Sequence, residues 1–166
     1  MKENYVSVYK NWPQPLAFLM ELLHERPKIA NISHKEMPTW KQHVKFVKSR
    51  PYKEWFTIVG NCNYKRFYDG NPGSNGYRKL YGKTYDTILG KGEHIGSIYL
   101  TKNNEIGIFI QKQYWRNGIA ERAIKWMMKR HKNILANINP LNKSSIALFE
   151  KMGFRHIQNT YEYKVI

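Results

Sequence analysis

Gln113-Tyr-Trp-Arg-Asn-Gly-Ile-Ala-Glu-Arg122 is the stretch on which the reading of this chain turns. Ahead of it, Glu105-Ile-Gly-Ile-Phe-Ile110 is an apolar run of strand length. Behind it, Ile119, Ala120, Ala123, Ile124, Met127 and Met128 recur at helical spacing. The pattern predicts a strand that runs almost directly into a helix. Gly118 and Ala120 leave the first turn of that helix open, where a bulky side chain would keep an anion off the free amides. Those amides and the helix dipole suit a phosphate. The same small residues also suit close packing of helix on strand, so both readings stand at this point. The dinucleotide fingerprint, with its three spaced glycines, is not met, and no Gly-Lys-Ser/Thr follows to make a P-loop.

The next unit narrows the choice. Ile134-Leu-Ala-Asn-Ile-Asn139 reads as a strand, Pro140-Leu141 breaks it, and Asn142 is a good N-cap for a helix that Gly153 stops. Ile146, Leu148 and Phe149 are its expected core contacts. Strand, anion-binding helix, strand and short helix ending in Gly-Phe resemble, in that order, the C-terminal half of the GNAT acetyltransferases. Tyr-Trp-Arg-Asn-Gly-Ile-Ala (114–120) resembles their acetyl-CoA motif, and Asn-Lys-Ser-Ser-Ile-Ala-Leu-Phe-Glu-Lys-Met-Gly-Phe (142–154) resembles their second block. Trp115 in place of the motif's leading Gln/Arg points to the ribosomal-protein-type branch. The resemblance is strong over 94–157 and thinner over 28–60.

Length and composition agree with a single globular domain. A chain of 166 residues can bury roughly 70% of its unfolded surface without staples. With 42% hydrophobic and 14% aromatic residues it is not of disordered composition. The lone Cys62 allows no internal disulfide and suggests no metal cluster, which fits a reducing cytoplasm. No apolar run reaches about 18 residues, and the N-terminus has no signal-peptide core, so neither membrane nor export is expected. The formal charge of +16 attracts polyanions, either a phosphorylated ligand or nucleic acid.

Elsewhere the expectations are a first strand over 5–9, a helix over 15–23 and a strand over 55–59. A helix from Trp40 to about Lys48 is introduced by the capping box Thr39-Trp-Lys-Gln42, with Trp40, Val44 and Val47 toward one face. A hairpin joins 94–101 to 105–110, and closing strands lie over 154–157 and 160–165. Residues 61–93 exceed what a hairpin needs and carry Tyr64, Phe67, Tyr68, Tyr77, Tyr81 and Tyr85 among lysines and arginines. Such an insertion serves as a lid or acceptor-site wall, as a nucleic-acid contact, or as an inert loop. The fold class is α/β, a mixed sheet flanked by about four helices. The resemblance implies a single GNAT domain over 1–166 whose mostly antiparallel sheet is splayed between strands 4 and 5.

It also implies roles. Main-chain groups of Arg116, Asn117, Gly118, Ile119, Ala120 and Glu121 bind the diphosphate of acetyl-CoA. Those of Phe109, Ile110 and Gln111 pair with the pantetheine arm, and Asn142 caps its helix beside that arm. Glu105 is the candidate base that takes the proton of the amine, with His34 as a relay. Glu36, His43, Tyr64 and Tyr68 are acceptor-site candidates. Phe149 stands where many members carry the tyrosine that protonates the departing thiolate, which leaves the general acid unassigned. The implied protein is a cytoplasmic N-acetyltransferase, monomer or homodimer. It uses acetyl-CoA and no metal, and its acceptor is a primary amine: an amino sugar, a small polyamine-like molecule, a protein amine or an aminated, nucleic-acid-linked base. The alternative is a GNAT-like nucleic-acid-binding module without turnover.

Overall fold

Among residues 3–27, 36–60 and 93–158, which the computed structural model describes, four strands rich in apolar residues build one sheet. The strands are β1 (Glu3–Ser7), β2 (Glu54–Gly60), β3 (Glu93–Leu100) and β4 (Ile106–Ile110). They pair in that order, each antiparallel to the next. Among the described residues four helices flank them: α1 (Leu16–His24), α2 (Trp40–Lys48), α3 (Ile119–Arg130) and α4 (Lys143–Lys151). His34, Tyr64 and Tyr68 lie outside the described residues, as do nearly all of the 61–93 segment and the expected strand over 160–165.

Each face of the sheet buries one pair of helices. Ile58, Ile95, Ile98, Leu100, Ile106 and Ile110 pack against Ile119, Ala123, Ile124 and Met127 of α3 and Phe149 of α4. On the other face Trp55 packs with Leu16, Phe18, Leu19 and Leu22 of α1 and Val47 of α2. Full burial of one such Leu, Ile or Phe contributes about 1.5–3 kcal/mol, so the two clusters are what hold the helices down.

Several local expectations meet the structure directly. Thr39 accepts from the Gln42 main chain, and the Gln42 side chain accepts from the Thr39 N–H at 2.7 Å, so the capping box is complete. The buried face of α2 is centred on His43 and Val47, not on Trp40, which is partly exposed. One turn of helix separates His43 from Val47, and that stripe faces α1. Two expected strands differ. Residues 154–157 form no strand: Phe154 instead packs edge-on against Phe149, ring centroids 5.0 Å apart. The 134–139 segment makes one parallel bridge, Leu135 to Glu105, and then leaves the sheet. The bridge has Ile106 N donating to Leu135 O at 2.8 Å and Leu135 N donating to Asn104 O at 2.9 Å. Beyond it the sheet is splayed.

Candidate functional site

That departure leaves an edge of β4 open, and the register decides which groups it offers. Thr101 N donates to Glu105 O and Gln111 N to Ile95 O, so the odd-numbered residues exchange their hydrogen bonds with β3. In an antiparallel pair the intervening residues point their main-chain groups away. The outward set is therefore Ile106, Ile108 and Ile110. Ile106 N is taken by Leu135, and Ile110 O accepts from Trp115 Nε1 at 2.7 Å. No described residue pairs with the outward groups of Ile108. Phe109 and Gln111, also expected beside the pantetheine arm, have other main-chain partners here. Phe109 lies opposite Ser97 and is turned to β3, and Gln111 O already accepts from Tyr114 N at 2.9 Å.

The chain passes from this edge into α3 through a short 3-10 turn, Lys112–Tyr114. Tyr114 is buried and its hydroxyl donates to Glu93 at 2.8 Å, which fixes the turn to β3. Arg116 and Gly118 then adopt positive φ, 61° and 70°. Left-handed residues so close together favour a backbone that turns successive N–H groups to one side. Gly118 is the N-cap of α3 and makes no side-chain cap. No described group accepts from the main-chain N–H of any residue from 116 to 121. The Asn117 side chain does not fill the site either, since it donates back to Tyr114 O and Trp115 O at 3.1 and 3.2 Å.

The charges around this helix start are arranged to suit an anion. Glu121 sits in the first turn, where its carboxylate would oppose a phosphate, but Lys151 and Lys125 hold it at 2.7 and 2.9 Å. Their hydrogen bonds, that of Lys151 first, bring its pKa down to about 2. Lys151 thereby joins α4 to α3. Asn142 caps α4 by accepting from Ser145 N at 3.2 Å. Phe149 is buried in the core and presents no polar atom.

Below β4, on the side of α1 and α2, lies a crevice of about 520 Å³, part of it open to solvent. Tyr52 stacks on Tyr99 at 3.9 Å, and Trp55 meets Tyr52 edge-on at 4.9 Å. The Tyr9 hydroxyl fixes the Tyr52 backbone, donating to its carbonyl at 2.9 Å, and Trp55 Nε1 donates to Ser97 Oγ at 2.8 Å. Tyr99 lies across Gly107, where a Cβ would come within 2.0 Å of the ring. Gly107 therefore sets how closely the aromatic wall can approach β4. Ile108 and Phe109 line the crevice as well, so it shares a wall with the open edge.

The remaining predicted residues fall in different places. Glu105 sits beside the Leu135 bridge, at the closed end of the splay, and its carboxylate accepts from Thr101 Oγ1 at 3.3 Å. His43 lines the crevice, but its Nε2 lies 3.1 Å from Leu16 O and burial lowers its pKa. The ring thus ties α2 to α1. Glu36 is exposed and does not line the crevice. Sequence reasoning passed over Arg26, Tyr52, Trp55 and Tyr99 as site residues. They converge from separate segments, and no local pattern joins them.

An antiparallel sheet with an open edge thus runs into a helix whose first turn has no side-chain cap. The sequence profile of the "Acetyltransferase (GNAT) domain" matches residues 64–155, and the chain belongs to that family. Members of the family use acetyl-CoA as donor. Similar solved structures include a domain from Methanocaldococcus jannaschii, 21% identical with a TM-score of 0.70, covering 97% of this chain and 93% of that one. An acetyltransferase from Thermus thermophilus is 16% identical with a TM-score of 0.61, covering 96% and 90%. Mutant forms of a spermidine/spermine N-acetyltransferase from Vibrio cholerae are 14% identical with a TM-score of 0.58, covering 92% and 79%. At these identities the likeness is one of fold. No curated protein sequence matches the chain. Among the described residues no helix is long and apolar enough to cross a membrane, and no cluster of His, Cys, Asp or Glu could hold a metal.

Proposed function

We propose that the whole chain is one acetyl-CoA-dependent N-acetyltransferase domain in which a primary amine attacks the thioester directly, with both substrates bound. The observation that carries this reading is the run of uncommitted main-chain N–H groups at 116–121, opening off the unpaired edge of β4. A diphosphate satisfies those donors, and Arg116 adds a side-chain cation beside them. The pantetheine amides find the outward main chain of Ile108 and the N–H of Ile110, as an added strand would. Asn142 holds the start of α4 in register beside that arm.

When bound, the donor supplies an activated acetyl carbon. The outward Ile108 N–H is positioned to stabilise negative charge on the carbonyl oxygen, a contribution that grows as charge develops. The nitrogen–carbon bond forms, the carbon–sulfur bond breaks, and the proton lost by nitrogen is balanced by one gained by sulfur. Glu105, at the closed end of the same edge, takes the amine proton through water. The thiolate leaves without a hydroxyl at position 149, helped by a thiol pKa of about 8.5. The +16 charge of the chain favours an anionic donor and equally an acceptor linked to a polyanion.

Acetyl-CoA should raise the melting temperature by several degrees at saturating concentration, whereas an oligonucleotide should not. The opposite result would favour a nucleic-acid-binding module. Glu105→Gln is expected to lower kcat by about 100-fold with donor affinity unchanged, in the range typical of a lost general base. Unchanged turnover would clear Glu105 of that role.

A further inference from the structure

We infer that the acceptor is a primary amine on an aromatic-sized apolar skeleton that also bears a carboxylate, and that Arg26 is the residue that reads this carboxylate. The inference rests on the acetyltransferase reading above and names the substrate class of that same site. It starts from the charge of the crevice. Its described lining is otherwise apolar or aromatic, with Ser97 and the tyrosine hydroxyls as polar points. Among the described lining residues Arg26 is the one with a formal charge. Burial lowers the pKa of His43, whose ring is held to Leu16 O, and none of the described lining residues is a carboxylate.

Arg26 is placed for an anion. Its guanidinium carbon lies 5.0 Å from the centroid of the Phe109 ring, so stacking holds it in the lining of the crevice next to β4. Its charge also reaches Tyr52 on the opposite wall, where it opposes the rise that burial imposes on that hydroxyl. Arg26 Nε is buried and has no hydrogen-bond partner among the described residues. A carboxylate in the crevice pairs with the guanidinium fork and is held there in one orientation. An aromatic crevice alone would also suit a cationic guest, but here the Phe109 face is already covered by a cation. A polyamine would enter against like charge with no compensating acid among the described lining residues.

The geometry also orients the guest. Phe109 touches Arg26, while Ile108, its neighbour on β4, carries the unpaired main-chain groups. A carboxylate held at Arg26 and a ring laid against the wall that Tyr52, Trp55 and Tyr99 form leave the amine facing the edge where the thioester lies. The skeleton is bounded by the aromatic walls, which gain most from stacking a ring.

Acetylation of phenylalanine, phenethylamine and spermidine by the full chain tests this. Phenylalanine should exceed both others in kcat/KM by about tenfold or more, the worth of one charge-assisted contact. Arg26→Gln should lower kcat/KM for phenylalanine by a similar factor, chiefly through KM, with no comparable loss for phenethylamine, which meets the same like charge in the parent. Arg26→Lys, which keeps the charge and loses the fork, should fall between. Acetyl-CoA should shift the melting temperature of all three proteins equally, so a donor-site failure reads separately from an acceptor-site failure. Phenylalanine no better than phenethylamine or spermidine, including no turnover of any of them, overturns the assignment. Equal losses for phenylalanine and phenethylamine in Arg26→Gln overturn it as well.

Discussion

Gly118→Glu is expected to weaken acetyl-CoA binding on the order of 100-fold while leaving the fold standing. Gly118 is the left-handed N-cap of α3, at φ 70°, and the N–H groups around it have no described acceptor. A glutamate there adds two burdens. One is conformational, since a side chain at this φ costs about 1–2 kcal/mol. The other is electrostatic: a carboxylate about 4 Å from a phosphate costs about 4 kcal/mol at an effective dielectric constant of about 20. After solvent screening a loss on the order of 100-fold in affinity remains. Gly118→Ala separates the two effects. Its Cβ would sit 2.8 Å from Arg122 Nη1, the movable end of a long side chain, so it carries the strain without the charge. Titration calorimetry should find the alanine variant weakened by much less than the glutamate variant. Equal weakening would mean that the site does not work by accepting negative charge.

The second large effect is acid lability centred on His94, whose side chain is 8% exposed. Neither ring nitrogen has a hydrogen-bond partner among the described residues, and the ring stacks on Phe18 at 5.0 Å. Burial alone drives its pKa down to about 4. The unfolded chain regains the ordinary value near 6.5 and so binds the extra proton more readily than the folded one. Stability is therefore complete above about pH 6.5 and is lost as pH falls from there toward about 4, by about 2 kcal/mol at pH 5. His43, lowered by burial in the same sense, adds to the slope. His94→Leu keeps an apolar neighbour for Phe18 and removes the titrating group. Chemical denaturation at about pH 7 and about pH 5 should show the variant losing about 2 kcal/mol less than the parent across that interval. Equal losses would place the acid sensitivity elsewhere.

Much of this architecture could be read from local patterns, because local chemistry sets it. The Thr39–Gln42 capping box, the helix started by Gly118, the next one capped at Asn142, and the 102–104 turn each depend on residues close in sequence. The parity of β4 was not legible. Which of Phe109 and Ile110 faces outward depends on pairing with β3, and that register is fixed across the sheet. Glu105 illustrates the same limit: its place at the strand start could be read, but its hydrogen bond to Thr101 and its position beside Leu135 are tertiary facts. The crevice lies further still from sequence reading. Arg26 reads as connector and Tyr52 as the residue after a proline. They meet only because α1 and α2 pack on one face of the sheet and bring both to Tyr99 and Phe109.

A crystal structure of the chain with acetyl-CoA tests the central claim most directly. The account predicts diphosphate oxygens within about 3 Å of main-chain nitrogens between 116 and 121, and a pantetheine amide bonded to the main chain of Ile108. A donor bound elsewhere, or an Ile108 edge already paired with another protein strand, would contradict it.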